Sequence, residues 1–255
     1  MPEMLNPMNL TGCSFLVTGA SSGIGRETAV LLSQLGARIV LVGRNQERLN
    51  ETSRNLSGSS HHAEVFDLSQ TEQIPSWVKS LCATVGPLNG LVHCAGIQST
   101  MPLRVSSPAV FEEAYRINVI ATAMLVKGFR QKGCCTSGGS IVLLSSVMGL
   151  VGGVAVSAYS SSKAAVLGLT RSLALELARE TIRVNCVVPG VVKTEMTEQV
   201  FSSLTPDQVS SIESMHPLGF GKPRDVAHAI AFLLADTASW ITGSSLVVDG
   251  GYTAR

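Results

Sequence analysis

The chain has few charged and few aromatic residues for its 255 positions. Charged residues make up 15% and aromatic residues 5% of the sequence, and the formal net charge is +1. A chain so near neutrality has no strong attraction for nucleic acid or for an anionic membrane surface, so neither partner is expected. Apolar residues reach 45%, which instead predicts a sheet buried on both faces, whose strands are apolar throughout.

Metal-binding, secretory and membrane-spanning patterns are also missing. The six cysteines show no CxxC pair and no metal-ligand spacing, which favours reduced thiols, no metal and a cytoplasmic location. The first residues, "MPEMLNPMNLTG", lack the basic and apolar regions of a signal peptide. The densest apolar stretch, "IVLLSSVMGLVGGVAV", has 16 residues and is interrupted by serines and glycines. A membrane span needs about 20, so this stretch indicates a buried strand followed by a loop.

Apolar runs alternate with helical patterns along the whole chain. The pattern predicts strands at 14–18, 37–43, 63–68, 88–96, 140–146, 182–190 and 245–251, with helices between them that include 71–85, 108–131, 157–179 and 223–235. This order predicts an α/β fold, a Rossmann-type doubly wound parallel sheet of about seven strands with helices on both faces. No linker divides the chain, so residues 1–255 are expected to form one domain. The segment 194–220 has no clear element and suggests a substrate loop.

A glycine-rich turn follows the first strand. It contains Thr18 and then "GASSGIG" at 19–25, after which a helical pattern begins. Glycines allow a tight bend and a close approach of the backbone to a phosphate, and the helix start offers free N–H groups to an anion. The strand–turn–helix context favours dinucleotide binding over a structural turn. The expected contact residues are Thr18, Gly19, Ser21, Ser22, Gly23, Ile24 and Gly25.

The end of the second strand bears on the choice of dinucleotide. NAD-binding proteins usually carry an acid there, but this sequence reads "VGRN", with Gly43 at that position and Arg44 after it. An arginine can pair with a 2′-phosphate that an acid would repel. The pattern therefore favours NADP(H) over NAD(H), although Arg44 could also be a solvated loop residue.

A tyrosine and a lysine stand four positions apart in a segment that is otherwise uncharged. Residues 133–162 contain no charged side chain, and Tyr159 and Lys163 follow within "AYSSSKAAVLG". Positions i and i+4 share one face of a helix. A nearby ammonium favours the phenolate and would lower the pKa of Tyr159, as acid–base catalysis requires. A packed tyrosine beside a surface lysine is the alternative for an isolated pair of this kind.

The combination of motifs resembles the short-chain dehydrogenase/reductase family, in its single-domain branch of about 250 residues. The shared features are the glycine turn, the Tyr159–Lys163 pair and Ser146, 13 residues before the tyrosine. They also include Asn118 in "RIN", the stretch "RVNCVVPGVVKT" at 183–194 and the closing "ITGSSLVVDGG". The resemblance covers nearly the whole chain, from Thr18 to Gly251.

The resemblance implies a role for each matched residue. Tyr159 would be the acid/base, Lys163 would lower its pKa and bind the nicotinamide ribose, and Ser146 would hold the substrate oxygen. Asn118 would hold a water of the proton relay, and Ser145 is a less well spaced alternative to Ser146. Further cofactor contacts would come from Asp67 at the adenine, Thr194 at the carboxamide, and Ala95, Gly96, Pro189, Gly190 and Val192.

The sequence departs from the family at one motif. The usual Asn-Asn-Ala-Gly after the fourth strand is replaced here by "HCAG" at 93–96. The first Asn normally ties neighbouring strands together, and the ring N–H of His93 could do the same. We therefore expect a structural role for His93.

The resemblance implies reversible hydride transfer between NADP(H) and a carbonyl/secondary-alcohol pair, with a small or apolar ketone as the expected substrate. Bacterial 3-oxoacyl-carrier-protein reductases are the most similar enzymes, but their carrier-docking arginines match Ser137 and Glu180 here. A carrier-protein substrate therefore stays an alternative. A protein that binds NADP(H) without catalysis is an alternative of another class.

The helical stretches at 108–131 and 157–179 carry apolar residues on more than one face. The first contains Ala121, Met124, Leu125 and Phe129, and the second contains Ala165, Leu169, Leu173 and Leu177. A helix with two apolar faces needs cover on both, and the sheet covers one. Related enzymes pair these helices, which predicts a homotetramer with 222 symmetry.

Overall fold

The computed structural model describes residues 6–254 and contains one parallel sheet of seven strands. The strands are β1 Ser14–Thr18, β2 Arg38–Gly43, β3 His62–Val65, β4 Leu88–His93, β5 Cys135–Leu144, β6 Arg183–Pro189 and β7 Ser245–Val248. The helices are α1 Gly23–Gln34, α2 Gln46–Arg54, α3 Ile74–Val85, α4 Pro108–Tyr115, α5 Ala121–Phe129, α6 Ser157–Leu177, α7 Glu195–Phe201, α8 Pro206–Ser214 and α9 Pro223–Leu234. The spatial order is β3-β2-β1-β4-β5-β6-β7, which confirms the predicted doubly wound fold.

The five inner strands, β1, β2, β4, β5 and β6, are buried on both faces, as the low charge content predicted, whereas the edge strands β3 and β7 are half-buried or exposed. Along β1, Leu16 packs into one apolar cluster, whereas Phe15 and Val17 pack into the other. The first cluster includes residues of α3, α5 and α6, and the second includes residues of α1 and α9. Successive side chains of a strand point to opposite faces, so each apolar strand contributes to both layers.

Three regions differ from the sequence expectation. The segment 194–220, expected to lack regular structure, contains α7 and α8. Thr194 and Thr205 begin these helices with side chains that accept from the backbone N–H three residues on, at Thr197 and Gln208. Helix α2 was also missed, because only Leu49 and Thr52 of its polar sequence are buried. The cap at Asn45, which accepts from the Arg48 N–H at 2.9 Å, was the available signal.

The expected helix at 108–131 is interrupted. Between α4 and α5 lies a π-helical turn, Arg116–Ile120, and it contains Asn118. Such turns widen a helix locally and occur frequently at functional sites. The stretch "IVLLSSVMGLVGGVAV" forms the end of β5 and the loop before α6, as expected. Within residues 6–254, no helix is long and apolar enough to cross a membrane.

Candidate active site

The parallel strands end at one edge of the sheet, and the loops that leave this edge carry the predicted site residues. The order of the strands reverses between β1 and β4, because the chain runs outward from β1 to β3 and then returns. The loop after β1 therefore meets the loop after β4, where Thr18 pairs with His93. Ligands of doubly wound sheets bind in this crevice.

The glycine turn fits closely against the segment that follows β4. Gly19 has a φ of +67°, and a Cβ there would lie 2.8 Å from the backbone nitrogen of Ala95. A Cβ on Gly25 would lie 2.2 Å from the carbonyl oxygen of Gly19. Both positions thus exclude a side chain. Helix α1 begins at Gly23 after Ser22, whose side chain makes no capping hydrogen bond, so the first N–H groups need acceptors from elsewhere.

A carboxylate already occupies the start of α1. The Gly23 N–H donates to Oε2 of Glu195 at 3.1 Å, and Nη1 of Arg26 lies 3.4 Å from Oε1 of the same side chain. Arg26 is held in place by donating to the Ser21 carbonyl at 2.6 Å. The turn therefore binds an anionic oxygen in this structure, and its donors suit a phosphate of a dinucleotide. The sequence analysis did not identify Glu195, although it directly follows Thr194.

The end of β2 presents an exposed cation. A Cβ at Gly43 would lie 3.2 Å from the Ser21 Oγ, so the chain passes close to the glycine turn. Arg44 follows on the surface and makes no ion pair with any residue between 6 and 254. Asp67 lies just after β3, where its Oδ1 accepts from the Ser69 N–H at 2.9 Å.

Tyr159, Lys163 and Ser146 come together at the start of α6. The Lys163 Nζ lies 5.8 Å from the centroid of the Tyr159 ring and donates to the carbonyl of Leu144 at 2.9 Å. Ser146 lies near enough to the Tyr159 phenol to lower its pKa. Ser145, the alternative serine, instead donates to the carbonyl of Lys163 at 2.8 Å. Of the two serines, Ser146 is thus the one beside the phenol.

Asn118 lies beside the lysine, at the segment after β4. Its Oδ1 accepts from the Ile97 N–H at 2.9 Å, and its Nδ2 donates to the Ile97 carbonyl and to the Ser162 hydroxyl, both at 3.0 Å. A Cβ on Gly96 would lie 3.0 Å from Asn118 Oδ1 and 3.4 Å from Lys163 Nζ. Gly96 therefore lies between the two side chains, and a side chain at this position would press against both of them.

Burial changes the proton affinities of this group. It lowers the pKa of Lys163 to about 8, because an ammonium loses its hydration there. Burial also raises the pKa of Tyr159, and the nearby Ser146 side chain offsets part of that rise. The sequence analysis expected Lys163 to lower this pKa. The net direction is the opposite, because desolvation of the phenolate outweighs the favourable contacts in this structure.

His93 ties the two central strands together. Its Nδ1 lies 2.7 Å from the Thr18 Oγ1, which also accepts from the Ala95 N–H at 3.3 Å. The ring is 3% exposed, and burial lowers its pKa to about 3, with a smaller contribution from Lys163. This geometry supports the structural role expected for His93.

The remaining predicted residues follow β6, which ends at Pro189. The Gly190 N–H donates to the Val248 carbonyl at 3.0 Å, and Val192 is buried. Thr194 begins α7 and lies against the glycine turn, because a Cβ on Gly23 would be 3.1 Å from its methyl group. Ile24, the remaining residue of the turn, is half-buried. Among residues 6–254, no three His, Cys, Asp or Glu side chains are grouped to hold a metal.

A phosphate-binding turn at the switch point of a doubly wound sheet defines a dinucleotide-binding protein, and the comparisons specify the family. A family model described as "Enoyl-(Acyl carrier protein) reductase" matches residues 19–253. A 3-oxoacyl-[acyl-carrier-protein] reductase of Rickettsia conorii is 37% identical over 96% of this chain and 98% of its own. The chain belongs to the short-chain dehydrogenase/reductase family.

Two further relatives differ in their described activities. A cis-4-hydroxycyclohexanecarboxylate dehydrogenase of Sinomonas cyclohexanicum is 36% identical over 94% of this chain and 96% of its own. A solved structure from Beutenbergia cavernae is described as an NAD(P)-dependent gluconate 5-dehydrogenase with bound NADP. It is 34% identical, with a TM-score of 0.90 over 98% of this chain and 100% of that one.

The buried neutral His93 predicts an acid-sensitive fold. His93 takes up a proton near pH 6.5 in the unfolded chain but only near pH 3 in the folded chain. Its contribution to the unfolding free energy is therefore fully present above pH 6.5 and is lost as the pH falls from 6.5 towards 3. His93→Asn removes this titration. From pH 7 to pH 5, urea titrations of the variant should show a loss of unfolding free energy about 2 kcal/mol smaller than in the unmutated protein. His228→Asn, an exposed control on α9, should behave like the unmutated protein. Equal acid sensitivity in the His93 variant would contradict the assigned burial.

Proposed function

We propose that this protein is an NADP(H)-dependent oxidoreductase that interconverts a small or apolar ketone and its secondary alcohol. The observation that carries this proposal is the placement of Tyr159 next to Ser146 and Lys163. Family membership and the NADP-bound relative support the same conclusion. Residues 1–255 would form one domain, of which residues 1–5 and 255 lie outside the described part.

The proposed cofactor contacts lie along one edge of the sheet. The turn at 18–25 would hold the pyrophosphate, Arg44 the 2′-phosphate and Asp67 the adenine edge. Lys163, Thr194 and the residues around Gly96 and Gly190 would hold the nicotinamide half. Bound NADP(H) supplies the hydride to the carbonyl carbon. The acidic side chain of Glu195 at the Gly23 N–H occupies the position proposed for the pyrophosphate, so this contact would have to open on binding.

Each residue of the catalytic group has a distinct task. Ser146 and Tyr159 would bind the carbonyl oxygen with their hydroxyl groups, and Tyr159 would donate the proton to it. Burial keeps the phenol protonated at neutral pH, which suits a donor in the reductive direction. Lys163 and Asn118, on either side of Gly96, would connect the phenol to a chain of proton carriers.

The loop after Ser146 supports an apolar substrate. Leu150, Val151 and Val154 are exposed there, and the last of these is 96% exposed. The Ala155 carbonyl accepts from the Met101 N–H at 2.6 Å, which ties this loop to the segment after Gly96. An apolar edge beside two hydroxyl groups fits a ketone with a hydrocarbon body.

Two other functions remain as alternatives. A carrier-linked 3-oxoacyl substrate is favoured by the Rickettsia relative. However, Ser137 is neutral and Glu180 is paired with Arg130, so neither position offers the positive charge that would attract an acidic carrier. A non-catalytic NADP(H)-binding protein would not need the Ser146–Tyr159 contact. The six cysteines are all free, which supports the cytoplasmic location we propose.

Removing the phenol tests the reaction. Tyr159→Phe should lower kcat by about 10²–10⁴-fold, the usual contribution of a positioned proton donor, while NADPH binding stays nearly unchanged. NADPH absorbance with a panel of ketones and alcohols measures turnover, and fluorescence titration measures binding. Tyr115→Phe, at an exposed tyrosine on α4, is the matched control and should keep full activity. Turnover that survives in Tyr159→Phe would show that Tyr159 is not the proton donor. A lack of turnover in the unmutated enzyme would favour the non-catalytic alternative.

Charge reversal at Arg44 tests the cofactor. Arg44→Asp should weaken NADPH binding by about 10-fold or more and improve the relative use of NADH, because a charge-assisted pair is worth about 1.5–3 kcal/mol. Steady-state kcat/KM with both cofactors measures the change. Arg54→Asp makes the same charge change at the far end of α2 and should leave the preference unaltered. Equal kcat/KM for the two cofactors in the unmutated enzyme would refute the preference.

The exposed apolar side chains support a homotetramer. Leu173, which was expected to point outward, is half-buried against the core, but Leu175 is 79% exposed on the same helix and Ile120 is 46% exposed before α5. Light scattering should give four chains per particle. Leu175→Glu should lower that mass, because a buried unpaired charge costs several kcal/mol, whereas Arg171→Glu at an exposed position should not. A monomeric mass of the active enzyme at micromolar concentration would rule out the assembly.

A further inference from the structure

One buried histidine lies outside the group described above. His216 follows α8 and is 3% exposed. Its Nδ1 lies 2.9 Å from the Ile212 carbonyl oxygen, and its Nε2 lies 3.2 Å from the Val191 backbone nitrogen. Val191 stands between Gly190 and Val192, in the loop proposed to contact the cofactor. The imidazole thus bridges the end of α8 to that loop.

The two partners fix the state of the ring. A carbonyl oxygen can only accept, so Nδ1 must carry the proton, and a backbone N–H can only donate, so Nε2 must be bare. Both hydrogen bonds therefore exist together only in the neutral imidazole. A second proton on Nε2 would place two donors 3.2 Å apart, and the bond to Val191 would be lost.

The bridge lies where three segments meet. The Gly221 N–H donates to the Val191 carbonyl at 3.0 Å, and the Leu218 N–H donates to the Gly250 carbonyl at 3.1 Å. The His216 ring packs on Tyr252, with centroids 4.7 Å apart, and meets Phe220 edge-on at 5.5 Å. Phe220 packs in turn on Phe201 of α7, at 5.3 Å. The ring therefore joins α7, α8 and the carboxyl terminus to the loop after β6.

We propose that neutral His216 is a positioning residue that holds α7 and α8 against the loop 190–194, and that its protonation releases this contact. The inference rests on the proposed function of that loop. It makes the arrangement of residues 190–221 depend on the protonation state of this ring.

One carboxylate interacts with the ring, and an ion pair joins two of the segments that the ring connects. Asp249 interacts with His216 electrostatically, but its oxygens accept from the Gly251 N–H and from the N–H and hydroxyl of Thr253. Lys193, on the loop after β6, has its Nζ 3.9 Å from Oε1 of Glu213 on α8. The Val191 N–H can bond only the neutral ring, and Asp249 is the carboxylate that interacts with this ring.

His216→Gln tests the proposal, because its amide can accept from Val191 and donate to Ile212 but does not titrate. Hydrogen exchange of the full chain without cofactor, corrected for intrinsic rates, is followed from pH 8 to pH 5. In the unmutated protein, exchange across 190–221 relative to α9 should rise about tenfold per pH unit below the midpoint. It should be independent of pH in His216→Gln and fast at every pH in His216→Leu. His228→Gln, at an exposed histidine, should match the unmutated protein.

A second readout links the contact to the proposed reaction. Acid should raise the KM for the carbonyl substrate and the Kd for NADPH in the unmutated enzyme, but not in His216→Gln, with kcat changed less. An unmutated protein without turnover would overturn the proposed function, yet the exchange experiment would still test the contact. Protection of 190–221 that stays constant from pH 8 to pH 5 in the unmutated protein would overturn the inference. The same pH dependence in His216→Gln would also overturn the inference. The measurement on the unmutated protein does not depend on whether a variant folds.

Discussion

The parallel alignment of the seven strands is the constraint on which the candidate site depends. Because every strand runs the same way, every carboxyl end opens at one edge, and the reversal of strand order between β1 and β4 leaves a crevice there. The crevice is narrow enough that Gly19 has no space for a Cβ beside Ala95. The Thr18–His93 bond then fixes the two strand ends relative to each other. A displaced β4 would move both the turn and the segment that contacts Asn118.

The buried ammonium of Lys163 depends on this frame. Within residues 6–254 it makes no ion pair and donates a hydrogen bond to the Leu144 carbonyl, and burial lowers its pKa to about 8. Ser145 fixes the lysine backbone from β5, and the π-helical turn brings Asn118 to the other side of Gly96. Because the Lys163 ammonium is poorly solvated, it can still donate hydrogen bonds to a further polar group. This property suits a residue that binds a ribose hydroxyl.

The segment after β6 connects the two ends of the crevice. At one end Glu195 reaches the first N–H of α1, and at the other His216 holds the end of α8. Helices α7 and α8 lie between these contacts, and each is short and contains no fully buried residue. Elements with little buried apolar area open at low free-energy cost. The segment is therefore held by a few polar contacts and by the packing of Phe201, Phe220 and His216.

The sequence by itself determined the fold, and it predicted the candidate catalytic residues. Apolar strands, the glycine turn and the Tyr159–Lys163 spacing depend on local periodicity and backbone conformation, which are visible along the chain. The spacing of 13 residues to Tyr159 also favoured Ser146 over Ser145. The sequence could not give the net pKa direction of Tyr159, because desolvation depends on what packs around the phenol. The contacts of Glu195 with Gly23 and of His216 with Val191 join residues 172 and 25 positions apart, and only the tertiary structure decided them.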